Sequence, residues 1–430
     1  VQAYDRLPEY RAEADRCTAA FAAAGHASPL DYLLAEPGSA TNDFTQVQIQ
    51  GAQFVHGVAL AQVWKSCGVL PDITVGHSLG EIGAAYVAGA ITLPDAVGVV
   101  AARATLLDRL TGPYRVAVLG LDPETARAAL AAADGWAELS VVNSASSVAV
   151  SGDTATIAAL VAELGERGVF AREIEMWFPA HTTKLDPLRS ELESLLPAGV
   201  FGETPVQFIG SATASVVPAG TDFAHYWYTN LRNTVRFDAA VLAAVDHGAR
   251  VFVELSAHPA LLYATNDVLD DSEQAADVLT VGSGRRDEPI TDRLAANIAA
   301  AALTDTGYRW TELIGSGSGL LRNFPFAPMR AEHLWAAAEP LPPVAGITVA
   351  AERWRPHVPA VASRSRRAAV IDLGEHTTLG AALRAEEEAE EGEEEEGHEH
   401  ARDVLPNSFV RTDSGALGVS YVGERGFVGV

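Results

Sequence analysis

The 430-residue chain carries 56 acidic and 30 basic side chains, a net charge of −26, and such an acid excess argues against a nucleic-acid partner. With 48% hydrophobic residues it can bury a substantial core over two or three domains. No apolar run is long enough to cross a membrane, the chain opens on no secretory pattern, and no His/Cys group has metal-ligand spacing, so no membrane, metal or bound cofactor is expected. Residues 9 to 25 have helical periodicity and stop at Gly25. A short helix is expected over Pro29 to Leu34 and a long one over Thr45 to Gly68. The apolar run Val69 to Val75 reads as a buried strand. Ile82 to Ala90 and Leu93 to Leu110 read as helices, the latter with Pro94 in its first turn. From Pro113 the texture becomes βαββαβ: strands at 114–119, 138–142, 147–150 and 170–174, helices at 123–132 and 154–165. Beyond Pro179 a helix is expected near Asp186, with strands at 206–209 and 250–254. Leu320 to Trp335 reads as an extended strap. Residues 340–365 are Pro-rich, and ten Glu between 386 and 399 form a solvated acidic run.

The stretch that carries chemistry is Val75-Gly76-His77-Ser78-Leu79-Gly80-Glu81. Strand, G-x-S-x-G and helix in that order are the setting of a nucleophile elbow. Small residues are needed where strand and helix backbones nearly touch, and the tight turn lifts the Ser78 hydroxyl out of the sheet. Glycine is frequent here, so G-x-S-x-G alone could be a chance match; the flanking strand and helix give it weight. Ser78 needs a base. His77 is adjacent in sequence and expected to point away. His181 follows a strand at the return from the βαββαβ segment, though a hydrogen-bonded loop histidine would look the same. Arg103 lies within the apolar run Val99 to Leu107, so its guanidinium needs a carboxylate, either a structural Glu or one on a substrate. Cys17 and Cys67 are expected to be packing thiols in a reducing cytoplasm.

Several ordered motifs carry a resemblance. Gly76-His77-Ser78-Leu79-Gly80-Glu81 is similar to the active-site motif of malonyl-CoA:acyl-carrier-protein transacylases and of acyltransferase domains in modular polyketide synthases. Ile49-Gln50-Gly51-Ala52, Ala101-Ala102-Arg103-Ala104, Val141-Val142-Asn143 and Val150-Ser151-Gly152-Asp153 resemble further family stretches. So do Pro179-Ala180-His181-Thr182, Tyr226-Trp227 with Asn230-Leu231-Arg232 and Val235-Arg236-Phe237, Phe252 to Pro259, and Phe324-Pro325-Phe326 to Trp335. The resemblance covers residues 1 to about 336.

It implies an α/β fold: a large α/β-hydrolase-like subdomain with a parallel sheet (1–112 and 179–310) and a small ferredoxin-like insert (113–178). A post-acyltransferase linker would follow at 311–340, then a further linker or following region at 341–430 with a disordered acidic run at 386–400. It implies a malonyl-type acyl-CoA as donor, the phosphopantetheine thiol of an acyl carrier protein as acceptor, and neighbouring synthase domains as partners. Ser78 would be the nucleophile and His181 its base, oriented by a carbonyl from Asn230. Leu79 would supply an oxyanion amide. Arg103, with Gln50 nearby, would bind the free carboxylate. Phe178 and Ala180 fall on the segment that selects the extender unit and match neither the His-Ala-Phe nor the Tyr-Ala-Ser pattern, with malonyl preferred narrowly over methylmalonyl. The family's opening Gly-Gln-Gly turn does not occur, and since the chain begins with Val it is expected to be an excised piece of a longer one. Two alternatives remain: an α/β-hydrolase esterase or thioesterase, disfavoured by the mid-chain position of His181, and a non-catalytic scaffold fragment.

Overall fold

The computed structural model describes residues 1–310 except 37, 38, 40–42, 111, 175, 177, 273–276 and 287, together with the backbone at 421–423 and 426–428. It divides into two units, Val1–Tyr308 and Arg309–Val430. In the first, α1 (Gln2–Arg6) and α2 (Pro8–Ala23) lead through Gly25 to α3 (Pro29–Leu33), capped by the Ser28 side chain. The long helix α4 (Gln46–Ser66) opens with a capping box between Thr45 and Gln48. Strand β1 (Ile73–Gly76) feeds α5 (Gly80–Ala88). Then α6 (Leu93–Arg109) starts with a second capping box, Thr92 with Asp95, and Pro94 in its first turn.

The expected βαββαβ segment is present as β2 (Tyr114–Leu119), α7 (Pro123–Ala132), β3 (Ala137–Ser144), β4 (Ser147–Asp153), α8 (Thr154–Glu166) and β5 (Ala171–Ile174). A 3-10 turn (Thr183–Leu188) and α9 (Arg189–Leu195) follow, then β6 (Gln207–Gly210), β7 (Ser215–Val216), α10 (Phe223–Arg232), β8 (Val235–Arg236) and α11 (Phe237–Asp246). The unit closes with β9 (Val251–Glu254), α12 (Leu262–Asp270), β10 (Leu279–Gly282) and α13 (Ile290–Thr304).

The strands of β2 to β5 form one sheet in the order β5-β2-β4-β3-β8. Its last strand comes from residues 235–236, beyond the expected insert boundary. Alternation assigns its two faces. Ala117, Leu119, Val142, Val148 and Val150 pack on α7 and α8 through Ala126, Ile157 and Leu160. Val116, Val141 and Ala149 face the other way, onto Val241 and Val245 of α11 and Val268 of α12.

Elsewhere the expected parallel sheet is a mixed one in two pieces. Strand β1 pairs with β6 and β9 with β10, both parallel, while β7 adds antiparallel to β6. Two-residue strands such as β7 and β8 carry too little periodicity to read from sequence. The largest core gathers around α4 and α6, including Phe54, Leu60, Val100 and Leu106. In the second unit β11 (Tyr421–Gly423) and β12 (Gly426–Val428) form an antiparallel hairpin. The strap at 320–335, the linker and the acidic run lie outside the described residues. Among those described, no helix is long and apolar enough to cross a membrane and no side-chain cluster could hold a metal.

Candidate active site

The first structural requirement is at the end of β1. A methyl on Gly76 would run into the backbone of Glu81, so only glycine lets the strand pass this close to α5. The turn between them holds Ser78 at φ 54°, and His181 sits at φ 62°. Non-glycine residues in the left-handed region are costly and are retained where the surroundings over-determine them. Here the two strained residues face each other: Ser78 Oγ lies 2.7 Å from His181 Nε2.

His181 is held from behind. Its backbone N–H donates to the Leu231 carbonyl, and its Nδ1 lies 2.9 Å from the Asn233 carbonyl. A carbonyl can only accept, so Nδ1 carries the proton and Nε2 turns its lone pair to the Ser78 hydroxyl. The carbonyl expected from Asn230 is therefore supplied three residues further on. Backbone carbonyls leave no residue-type signature, so sequence could not distinguish the two. Burial, then the positive charge of Arg103, hold the His181 pKa down to about 3, so the ring is neutral at physiological pH.

Arg103, from the buried face of α6, is 6% exposed. Its Nη2 donates to Ser78 Oγ at 2.9 Å and its Nη1 to Asn230 Oδ1 at 3.1 Å. Among the described residues Nε has no partner and no carboxylate lies within ion-pair distance of the guanidinium. Burial lowers its pKa to about 10, with Glu81 working in the opposite direction. A charge in that position is short of an anion.

Asn230, rather than orienting the histidine through its side chain, spans the site. Its Nδ2 donates to the Ser78 carbonyl at 3.2 Å while its Oδ1 accepts from Arg103. Glu81, not singled out from sequence, is completely buried and accepts from Ser211 Oγ at 2.6 Å, from the Ala212 amide at 3.0 Å and from the Tyr226 hydroxyl. The only available signal was its place at the end of the elbow motif.

Of the remaining residues, Leu79 is the N-cap of α5, so its amide leads that helix. Gln50 is buried on α4, bonded through Nε2 to Gln46, with no hydrogen bond to Ser78 or Arg103. Ala180 is buried and Phe178 packs half-buried against the main core. His77 turns its ring to Phe237 and its Nε2 to Asn143 of β3 at 2.9 Å, tying the elbow to the five-stranded sheet. Beside Asn233 an open cleft of about 400 Å³ is lined by Arg127, Arg232, Arg236 and Thr234.

Comparison with known proteins places this geometry. Residues 1–307 match the family model described as "Acyl transferase domain". Mycoketide-CoA synthase of Mycobacterium tuberculosis is 34% identical over 345 residues; the match covers 79% of this chain and 8% of that synthase's length. The crystal structure of the acyltransferase domain from module 8 of the salinomycin polyketide synthase is 36% identical with a TM-score of 0.63, over 68% of this chain and 69% of that one. The acyl transferase domain of SpnD, solved in complex with 2-(pent-4-yn-1-yl)malonyl, is 26% identical with a TM-score of 0.60, over 70% and 72%. The chain therefore belongs to the acyltransferase domain family, in the form found in modular polyketide synthases.

Proposed function

We propose that this acyltransferase moves a malonyl-type extender unit from coenzyme A to the phosphopantetheine thiol of an acyl carrier protein, through an acyl ester on Ser78. The observation that carries the reading is the convergence on Ser78 Oγ of a neutral, carbonyl-anchored imidazole and a buried guanidinium without a carboxylate partner among the described residues. Ser78 Oγ attacks the thioester carbon while its proton passes to His181 Nε2. The Leu79 amide, at the N-cap of α5, stabilises the oxyanion. Collapse breaks the C–S bond, and the departing thiolate takes the proton from His181. In the second half the carrier thiol gives its proton to the same nitrogen, its sulfur attacks the ester, and Ser78 leaves and recovers the proton.

Arg103 supplies selection. The free carboxylate of a malonyl group completes an ion pair that the protein leaves open, whereas an acetyl group would leave the charge buried and unpaired. The three arginines of the cleft beside Asn233 suit the phosphates of coenzyme A and of phosphopantetheine. We read the strand order β5-β2-β4-β3 as the ferredoxin-like insert and the parallel pairs β1–β6 and β9–β10 as parts of a hydrolase-like subdomain. The malonyl-derived ligand of the SpnD domain supports the substrate class. At the specificity segment the small Ala180 leaves malonyl and methylmalonyl to be told apart by experiment. Intact-mass spectrometry after incubation with malonyl-, methylmalonyl- and acetyl-CoA tests the reading. We expect one adduct, mapped to Ser78 and absent from Ser78→Ala; labelling of Ser78→Ala to the same stoichiometry would rule out the assigned nucleophile.

A further inference from the structure

Resting on the reading of His181 as the base for Ser78, we infer that Glu138, on β3, is a positioning residue for that base: it latches the chain just beyond His181 and so keeps the histidine in its left-handed conformation. The two contacts that hold His181 from behind, its N–H to the Leu231 carbonyl and its Nδ1 to the Asn233 carbonyl, both lead to one short segment. They fix the incoming peptide and the ring. Neither holds the outgoing chain, and a non-glycine residue at φ 62° relaxes by swinging whichever side is loose. The outgoing side is where Glu138 acts. Its Oε2 accepts from the Thr183 amide at 2.9 Å and its Oε1 accepts from the Thr183 hydroxyl. The Thr182 side chain, by contrast, bonds back to the Pro179 carbonyl within the same loop. Asp186, further on, turns to Tyr228 and Arg232 of α10, the helix that already supplies the Leu231 carbonyl. Glu138 therefore grips the base loop from a different element.

The carboxylate is itself held ready. Trp136 Nε1 donates to Glu138 Oε1 at 2.8 Å, and the Trp136 ring packs edge-on against Tyr114 with centroids 5.9 Å apart. Lys184, next to Thr183, sets its ammonium 4.7 Å from the Trp136 ring centroid. Hydrogen bonds to an ionised acceptor are the strong ones, and this carboxylate gathers three. The strand that carries it meets the other parts of the site as well. Thr234 Oγ1 donates to the Leu139 carbonyl at 3.0 Å, and Val141 and Val142 pair with Val235 and Arg236, so the chain after Asn233 is laid along β3. Asn143 binds His77, beside the nucleophile. Positions along one strand thus register the base loop, the carbonyl that orients the base, and the elbow. Glu138 is the member of that series that reaches the base loop. Among the described residues it has no hydrogen bond to Ser78 or to the His181 ring, so its effect passes through Thr183.

The test follows two labelling reactions of Ser78 by intact mass. One is loading from malonyl-CoA; the other is sulfonylation by phenylmethylsulfonyl fluoride, which uses the Ser78–His181 pair but needs neither coenzyme A nor a substrate carboxylate. Wild type is compared with Glu138→Ala, Glu138→Gln, Thr183→Ala and the Glu138→Ala, Thr183→Ala double variant. In Glu138→Ala both rates should fall by the same factor, about tenfold for lost hydrogen bonds to a charged group. The half-saturating malonyl-CoA concentration and the malonyl-to-acetyl ratio should not move, because Arg103 is untouched. Glu138→Gln should run at least about threefold faster than Glu138→Ala, since its amide oxygen can accept from the Thr183 N–H while its NH2 donates to the Thr183 hydroxyl. A Gln variant as slow as the Ala variant overturns the latch. In the double variant the rates should match Glu138→Ala alone, and losses that multiply overturn the route through Thr183. A fall of less than about threefold in Glu138→Ala overturns the inference, as does a lower urea midpoint with unchanged labelling, which would make Glu138 a contact of the fold alone. Should Glu138→Ala fail to fold, Glu138→Asp, whose carboxylate stops one methylene short of Thr183, decides by the same threshold. A wild type labelled by neither reagent overturns the reading of His181 as base and this inference with it. A labelled wild type whose rates the variants share overturns the inference alone.

Discussion

At the scale of single residues, the proposed chemistry rests on two depressed pKa values and one charge without an ion-pair partner among the described residues. His181, held down to about 3, stays a neutral base far below the ordinary imidazole range. The rate of Ser78 acylation should therefore show no inflection near pH 6.5 and no loss from His181 protonation down to about pH 4.5, a stopped-time mass assay over pH 4.5–8 being the check. Arg103, lowered to about 10, loses its proton on the alkaline side. Malonyl loading should fall as pH rises through that value while acetyl loading does not. Arg103→Ala should lower kcat/KM for malonyl-CoA by about 10²–10³ relative to acetyl-CoA, the size expected for opening a buried ion pair. An unchanged ratio would remove the clamp. Ser78, His181 and Arg103 were legible because their side-chain chemistry is distinctive and sits in recognisable spacing. The Asn233 carbonyl was not, since any residue supplies one, and Glu81 was not, because its partners come from positions 211, 212 and 226.

Among the elements, the ones most easily read were those with local signals. Thr45-x-x-Gln48 and Thr92-x-x-Asp95 announce α4 and α6, and alternation marks β2 to within a residue. Strands β7 and β8, each of two residues, were missed because their existence depends on a partner strand rather than on their own pattern. The tightest element junction is β1 to α5. Gly76→Ala would drive a methyl into the Glu81 backbone, which cannot swing aside as a side chain could. We expect a loss of about 3 kcal/mol or more in urea unfolding, together with loss of acyl loading. A near-neutral variant would mean that the elbow has slack the geometry does not show. By contrast Thr92→Ala removes only an exposed cap and should cost about 1 kcal/mol with loading retained.

For the whole molecule, the organisation follows from one sheet with two differently employed faces. Neighbouring residues such as Val116 and Ala117 part company, one toward α11 and α12 and the other toward α7 and α8. That is why a segment readable as a separate βαββαβ unit also shares β8 and a core with the rest of the chain. A global property follows from histidines buried without charge. His56, on α4, bonds through Nδ1 to the Tyr10 hydroxyl at 2.7 Å, and its Nε2 is shut off from solvent with no partner among the described residues. Burial lowers its pKa to about 4. A depressed histidine pKa means that the unfolded chain takes up the proton first as pH falls. Its stabilising contribution is complete above about pH 6.5 and is lost progressively down to about pH 4. In His56→Gln that dependence is gone. The stability difference between wild type and variant should therefore shift against the wild type by on the order of 2–3 kcal/mol between pH 7 and pH 4, read from urea midpoints at fixed ionic strength. Comparing the two proteins cancels the opposite pull of Glu81 and Glu254, whose raised pKa values favour the folded state as pH drops. A difference that stays flat across that range would show His56 titrating normally in the folded protein, and with it that water reaches the space between α2 and α4.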